Sequence, residues 1–533
     1  MACKKNFLDL QPFSYSEDKV FSDIALSEAF INSLYQSLPT DIFNYPLNLV
    51  ASSDEAKTTY ATAAANVITK GNYGPESPVF VLDNWGKCYS AIRKANLFLA
   101  NYHKLPDGSE KNRLAGEAYF LRAYFYAHLL KQYAGKGLGV PLIMKVQSLD
   151  NLFEVRAPYD ICVDSVVNDL DKAALLLPLP NKVVSGRVSR GAAMALKSRV
   201  LLYAASPMNN PENLPEKWER AADAAKELID LNYYGLHDDY GDVFLKVTEE
   251  SIFYKLFSKG TSEYNLLDYN VQPPSAGGRG SAAPSQEAVD AYEVVTGTGD
   301  DRLAVPFDWT NSQHAGAPYQ NRDPRFYASI LYNGAEWTDG KGGTHLMDLK
   351  NGGLDRTLNP ANATSTGYYL KKFMNINFFP EYRITGFVNT YTPWMLIRYA
   401  EVLLNYAEAC LQTGKEEEAR KYINMVRARK SVNMPLIKQG ELTWERYMNE
   451  RRVELAFEEH RFWDAKRWNI ASGAFKSIHG ISISDQTGTI IYTPVLIENR
   501  VYLPQMDIFP IPQSDIDKYR TAIPDFRQNP GWE

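Results

Sequence analysis

The chain has 533 residues, with 63 acidic side chains against 57 basic ones and a net charge of −6. No Lys/Arg-rich run accompanies that balance, which argues against a nucleic-acid partner. Length alone predicts about three or four domains, although repeat-like helices can merge into one long core.

The four cysteines are Cys3, Cys88, Cys162 and Cys410, and no CxxC pair occurs among them. That spacing argues against a zinc or redox motif. Cys88 and Cys410 fall on apolar helical faces and read as small buried hydrophobes. Cys3 differs: it heads the chain before Lys4 and Lys5, with no apolar run ahead of it. A cysteine in that place reads as a lipid attachment point or as an ordinary exposed thiol.

In chain order, Phe21 to Leu38 predicts a helix, with Ala25, Ala29, Leu34 and Leu38 among its apolar positions. A polar, aromatic segment from Pro39 to Asp83 follows, carrying Asp41, Tyr45, Asp54 and the turn Gly71–Pro75. Trp85, Tyr89, Ile92 and Leu99 mark the next helix, and their core spacing makes Trp85 structural. GEAYFLRAYFYAHLLKQYAG is apolar nearly all round and predicts a buried helix, ended by Gly139-Val140-Pro141. A helix pair is expected over Tyr159–Leu177 and Ser189–Ala205, with Ser189 as N-cap. Trp218 to Leu231 adds a helix that turns Ala221, Ala224, Ala225 and Leu228 to the stack.

Between about residues 232 and 393 the helical period fades, and Gly, Pro, Asn and aromatic residues dominate. A structureless loop of that length is improbable. The segment is read as short loops, hairpins and small helices mounted on the helical scaffold. This gives three regions, 1–231, 232–393 and 394–533, in one compact body. Binding residues concentrate on loops held by rigid frames, so the insert and the Pro39–Asp83 segment are where a ligand is expected.

From Trp394 the helical period returns. Leu396, Tyr399, Leu403, Ala407 and Cys410 form one face, and Arg398, Glu401, Asn405, Glu408 and Gln412 a second stripe. Gly414 suits a helix C-terminus that requires positive φ. Ala419, Tyr422, Ile423 and Val426 face inward on the next helix, and the pair has a tetratricopeptide-like pattern. ERRVELAFEEHRFWDAKRW reads as one last helix. Its three-residue steps Arg451/Glu454, Glu458/Arg461 and Arg461/Asp464 predict neighbouring ion pairs, read as a structural ladder rather than an acid/base site.

HExxH and GxSxG are absent, and Gly340-Lys341-Gly342-Gly343-Thr344 fails the phosphate-loop pattern. No catalytic residue, metal or cofactor is assigned.

Taken jointly, several motifs resemble the SusD/RagB family of Bacteroidetes surface nutrient-binding lipoproteins. They are Cys3-Lys4-Lys5 with Phe7-Leu8-Asp9, GEAYFLRAYFYAHLLKQY before Gly139-Val140-Pro141-Leu142, and RVSRGAAMALKSRVLLYAA. Further along come Ser285-Gln286-Glu287 with Tyr292, Arg322-Asp323-Pro324-Arg325 and LIRYAEVLLNYAEA. ERRVELAFEEHRFWDAKRW and the ending FPIPQSDI…QNPGW complete the set. The resemblance implies a mainly α fold: about four tetratricopeptide-like units carrying an irregular ligand-binding insert. It implies no catalysis. Family members capture glycans and sit on a SusC-like TonB-dependent outer-membrane transporter, and Cys3 stands where the family is lipidated at the cell surface. In such a site Tyr73, Trp309 and Trp337 are the loop aromatics expected to stack on sugar rings. Asn72, Asp54, Asp41 and Tyr264 are the expected hydrogen-bonding neighbours. Two rivals are a peptide-binding tetratricopeptide adaptor, with its ligand in a helical groove, and a glycoside hydrolase, which needs a carboxylate pair in the insert.

Overall fold

The computed structural model describes residues 16–38, 47–79, 83–257, 271–338, 343–375 and 391–533. Cys3, Asp41, Tyr264 and the Gly340–Gly342 turn lie outside them. Ten helices carry the argument: α1 (Ile24–Tyr35), α2 (Trp85–Asn101), α3 (Ser109–Tyr133), α4 (Tyr159–Leu176), α5 (Arg190–Ala205), α6 (Pro215–Asp230), α7 (Tyr399–Gln412), α8 (Glu416–Arg427), α9 (Trp444–Glu454) and α10 (His460–Arg467). From α2 to α8 each helix packs against the next. This is a mainly α, tetratricopeptide-like stack. The pairing of α6 with α7 spans the whole insert, so residues 232–393 leave and rejoin the stack at adjacent helices.

Local chemistry explains most boundaries. Ser189 caps α5 through its side chain, which accepts the Ala192 amide at 3.2 Å. Gly414 ends α7 at φ +75. α3 is buried on nearly every face, as a helix apolar all round must be. Cys88 and Cys410 are buried thiols.

Three expected helices differ. Phe21–Leu38 divides at Asp23, whose carboxylate accepts the Leu26 amide and starts α1. Leu396 belongs to a strand rather than to α7. Residues Trp394–Arg398 pair antiparallel with Ser251–Lys255, at the other end of the insert, and α7 begins only at Tyr399. The last helix is broken: α9 ends at Glu454 and α10 starts at His460, with Phe457 (φ +63) and Glu459 (φ +67) in left-handed backbone between them.

That break changes the partners of the charged residues, and among the steps read as a ladder the ion pairs reach other segments. Glu454 accepts Arg398 at 2.7 Å, Arg429 at 2.9 Å and Arg325 at 3.0 Å. Glu250 also takes Arg398 and Arg429, at 2.7 and 2.6 Å. Glu450 bridges Arg325 and Arg427, and Glu458 bridges Arg398 and Lys372. Arg451 meets Asp464 at 2.8 Å across the break. The polar stripe on α7 is absorbed in the same way: Glu401 holds Arg199, Asn405 holds Arg451, and Glu408 holds Arg467. The pairs are structural, as expected, although they tie segments together instead of running along one helix.

Two apolar clusters flank this lattice. One runs from Phe21 through α2–α8 to Phe526, and the other gathers the insert with Leu47, Val50 and Ile483. Leu455 belongs to the first and Val453 to the second, so the end of α9 lies between them.

Burial works to raise the Glu454 carboxyl, but Arg429, Arg398 and Arg325 hold it below the usual carboxylate range. Its stabilisation is therefore present above the unfolded-state carboxylate value and lost as pH falls through the depressed one. Glu454→Gln leaves three buried guanidiniums short of charge. The expected loss is about 3–5 kcal/mol, the usual result of breaking a buried pair from one side. Urea unfolding of wild type and variant measures it, and a loss near zero would remove the lattice from the stability account.

Candidate functional site

The Pro39–Asp83 segment and the insert meet at a short strand pair. β1 (Ala56–Thr58) runs antiparallel to β2 (Ala282–Pro284), with Ala56 opposite Pro284 and Thr58 opposite Ala282. The chain just beyond each strand continues the contact. The Thr59 amide donates to the Ser281 carbonyl at 3.3 Å, and its hydroxyl to the Arg279 carbonyl at 3.2 Å. The next residue, Tyr60, is half-buried and faces Arg279, also half-buried. The guanidinium lies 5.8 Å from the ring centre and its Nη1 is 3.4 Å from the phenol oxygen. Asn66 fixes the Tyr60 backbone, donating to its carbonyl at 2.6 Å.

Arg279 is presented by a tight loop, Gln272–Ser281. The Gly280 amide donates to the Gln272 carbonyl at 2.7 Å. A side chain at Gly278 would meet that same carbonyl at 2.4 Å, so only glycine fits. Three side-chain atoms of this loop, Gln272 Oε1, Ser275 Oγ and Ser281 Oγ, are buried without a protein partner. Buried polar groups of this kind are ordinarily satisfied by water or ligand.

The strand is fixed from below by charge. Asp54 accepts Arg461 at 2.8 and 2.9 Å and Arg452 at 3.0 Å. Burial alone would raise its carboxyl, but the two guanidiniums overcome that and hold it at about 2. Lys57 pairs with Glu498, which also accepts Arg500 at 3.0 Å. Arg500 in turn donates to the Ser53 and Ala56 carbonyls at 2.6 and 3.0 Å.

The expected site residues are dispersed. Tyr73 is buried against Trp532 and Phe509, at ring separations of 5.2 and 5.7 Å, so it is a core ring and not an open platform. Trp337 is 6% exposed in the insert core, on a hairpin strand opposite His345, and is likewise corrected to a packing residue. Asp54 is committed to two arginines, which corrects its assignment as a ligand hydrogen-bonder. Asn72 is exposed on the turn before Tyr73. Trp309 is half-buried at the insert surface: its indole N–H donates to Asp290 at 3.0 Å, and Phe307 meets it edge-on at 5.1 Å. Trp85 is buried, as its spacing implied.

Sequence reading missed Tyr60 and Arg279, which are 219 positions apart. The available signal was an arginine between glycines, Gly277-Gly278-Arg279-Gly280, in an otherwise small-residue loop.

A profile of the SusD family matches residues 249–532, more than half of the chain. The chain belongs to the SusD family. A second profile, described as starch-binding associating with outer membrane, matches residues 6–202. SusD-like protein P38 of Formosa agariphila is 23% identical over 78% of this chain and 77% of its own. A SusD-like protein of Bacteroides fragilis has a crystal structure with TM-score 0.79 and 28% identity, covering 97% of this chain and 98% of that one. A laminarin-binding SusD-like protein shares the fold at TM-score 0.64 and 22% identity, over 95% of this chain and 98% of its own. Among the described residues of this SusD-family chain, no helix is long and apolar enough to cross a membrane.

The geometry separates packing rings from surface rings. Tyr73→Ala should lower stability by about 3–5 kcal/mol, the range for emptying an aromatic core position. Tyr60→Ala should change stability by less than about 1 kcal/mol, because half-exposed positions contribute little. Thermal melts of both variants check the contrast, and equal losses would contradict it.

Proposed function

We propose that this protein binds oligosaccharide or polysaccharide without cleaving it and passes the glycan to a SusC-like TonB-dependent transporter. Cys3 carries the lipid that holds it at the cell surface of the outer membrane. Residues 232–393, together with the Pro39–Asp83 segment, form the ligand-facing part.

The Tyr60–Arg279 pair carries this reading. A sugar ring offers C–H groups on one face, which pack on an aromatic ring, and hydroxyls at its edge, which require hydrogen-bond partners. The phenol supplies the face and the guanidinium a rigid fork of donors. Trp309 and Asn72 stand as outlying contacts for a longer chain. The SusD-family fold and the carbohydrate-binding relatives support the ligand class.

The peptide-adaptor reading has less support. On the helical stack, Arg199, which lines a small cavity between α3 and α5, is already held by Glu401. Lys131, also on that wall, lies 4.7 Å over the Trp463 ring of α10.

A glycan array identifies the ligand, and calorimetry on folded Tyr60→Ala, Arg279→Ala and Trp309→Ala variants tests the site. Loss of the Tyr60 platform should cost about 1–3 kcal/mol, by analogy with aromatic–base stacking. That is roughly a tenfold to hundredfold loss of affinity. Unchanged affinity for Tyr60→Ala and Arg279→Ala would place the site elsewhere. Release of reducing sugar by the wild type would replace binding with hydrolysis.

A further inference from the structure

The motif Arg322-Asp323-Pro324-Arg325 is only partly absorbed by the charge lattice. Asp323 and Arg325 belong to it, with Arg325 donating to Asp323, Glu450 and Glu454. Arg322 is also buried, at 2% exposure, but it turns to carbonyls instead of acids. Its Nε and Nη2 donate to the Tyr292 carbonyl at 3.0 and 2.7 Å, and its Nη1 to the Pro318 carbonyl at 2.7 Å. Nη2 also reaches the Val289 carbonyl. A buried guanidinium carries a desolvation cost that only well-filled hydrogen bonding offsets. The backbone beneath it is fixed as well. Residue 322 bridges Val294, the Val295 amide donates to the Asn321 carbonyl at 2.6 Å, and the Asp323 amide to the Glu293 carbonyl at 2.8 Å.

The guanidinium holds a surface segment of the insert, residues 307–318. The Phe307 ring centre lies 4.3 Å from its carbon, and Pro318 takes its Nη1. These two residues bracket Trp309, so both ends of the segment rest on one side chain. Inside the segment, His314 stacks on Phe307 at 5.3 Å and accepts the Asp308 amide through Nδ1 at 3.1 Å. The Asp308 carboxylate accepts the Thr310 amide at 2.8 Å. Trp309 has a clamp of its own. Asp290 Oδ2 accepts its indole N–H at 3.0 Å, Asp290 Oδ1 accepts Gln286 at 2.7 Å, and Gln286 accepts the Tyr368 hydroxyl at 2.7 Å. Val289, whose carbonyl Arg322 holds, immediately precedes Asp290, so the two clamps share a base.

We propose that Arg322 and Asp290 are positioning residues for Trp309, and that Trp309 meets a sugar through its ring face alone. Arg322 fixes the two ends of the segment, and Asp290 fixes the orientation of the indole. Because the N–H is spent on Asp290, Trp309 offers stacking without a hydrogen bond, whereas the Tyr60–Arg279 pair offers both. Trp309 thus discriminates little between hydroxyl configurations and serves to hold a longer chain. Support of this kind lowers the ordering cost of binding. The inference rests on the glycan-binding reading but not on Tyr60 or Arg279.

Hydrogen–deuterium exchange of the full chain, without glycan, compares wild type with Arg322→Lys, which keeps the charge and loses the fork. Protection of the peptide 307–318 should fall about tenfold or more, the worth of one charged hydrogen bond, while α3 keeps its protection. Unchanged protection of that peptide overturns the proposal. If Arg322→Lys does not fold, Asp290→Ala takes its place in the same comparison. Calorimetry then uses a long oligosaccharide selected on the glycan array. Trp309→Ala should weaken its binding about tenfold to hundredfold, and Trp309→Phe much less, because a ring face is kept. Asp290→Ala should weaken binding in the wild-type background and have no further effect in Trp309→Ala, a non-additivity that general destabilisation does not produce. Unchanged affinity in Trp309→Ala, a loss in Trp309→Phe as large as in Trp309→Ala, or equal effects of Asp290→Ala in both backgrounds overturns the proposal. Tyr60→Ala reports on the Tyr60–Arg279 pair alone, so that reading and this one fail separately.

Discussion

The fold depends on charges taken out of water and matched to one another around Glu454. Its carboxylate receives guanidiniums from β-strand residue Arg398, from Arg429 after α8 and from Arg325 in the insert. An isolated buried charge is intolerable, and even a paired one repays its desolvation only if the remaining hydrogen-bonding positions are filled. That requirement is largely met by convergence: Glu250, Glu450, Glu458 and Asp323 take further N–H groups of the same arginines, and the Arg429 Nε alone among them is buried without a partner. Apolar side chains of equal volume could give comparable stability. They would not fix direction as planar forks on carboxylates do. The lattice orients the insert on the helical stack while the two apolar clusters supply bulk burial.

The same logic extends to the strand that presents Tyr60. Arg461 belongs to α10, whose start is set by the left-handed break after Glu454, and it ends on Asp54 two residues before β1. Arg500 grips the main chain on both sides of Glu55 through the Ser53 and Ala56 carbonyls. β1 is therefore positioned by side chains from the far end of the sequence, and β2 follows by pairing. The loop residues Tyr60 and Arg279 are variable in principle, yet they stand on a strand pair with little freedom to move. A rigid support lowers the ordering cost of binding.

Periodicity made the helical stack legible, because an apolar face repeated every three or four residues has one solution. Ser189, Gly414 and the all-round apolar α3 were readable one residue at a time. The polar stripe of α7 was visible as a pattern, but its partners were not: Arg199 and Arg467 lie 202 and 59 positions from their acids. The break at Phe457 was hidden because ERRVELAFEEHRFWDAKRW has good helix formers throughout. Its left-handed turn is imposed by tertiary contacts such as the Phe457 amide's hydrogen bond to Glu55. For the candidate site, sequence reading named the two segments that the β1–β2 pair joins, and it did not name Tyr60 or Arg279. Tyr73 and Trp337 have the composition of a platform, and whether a loop aromatic faces inward depends on what covers it. For Tyr73 that cover is Trp532, near the other end of the chain.

Chemistry at the junction can be judged from its carboxylates. Glycoside cleavage needs two of them, one protonated and one free to act as base or nucleophile, on either side of a sugar. Asp54 is ionised but held by two arginines. Glu498 is ionised and shared between Lys57 and Arg500, and burial is overcome there by those partners. Glu55 keeps its proton to near neutrality, which suits a general acid, but its carboxyl points into the α9–α10 turn and is shut off from solvent. Asp54 and Glu498 are thus committed to holding the strand that carries Tyr60. Beside them, the half-buried Tyr60 ring and Arg279 guanidinium supply the two chemistries that the proposed glycan contact needs, a ring face and a fork of donors.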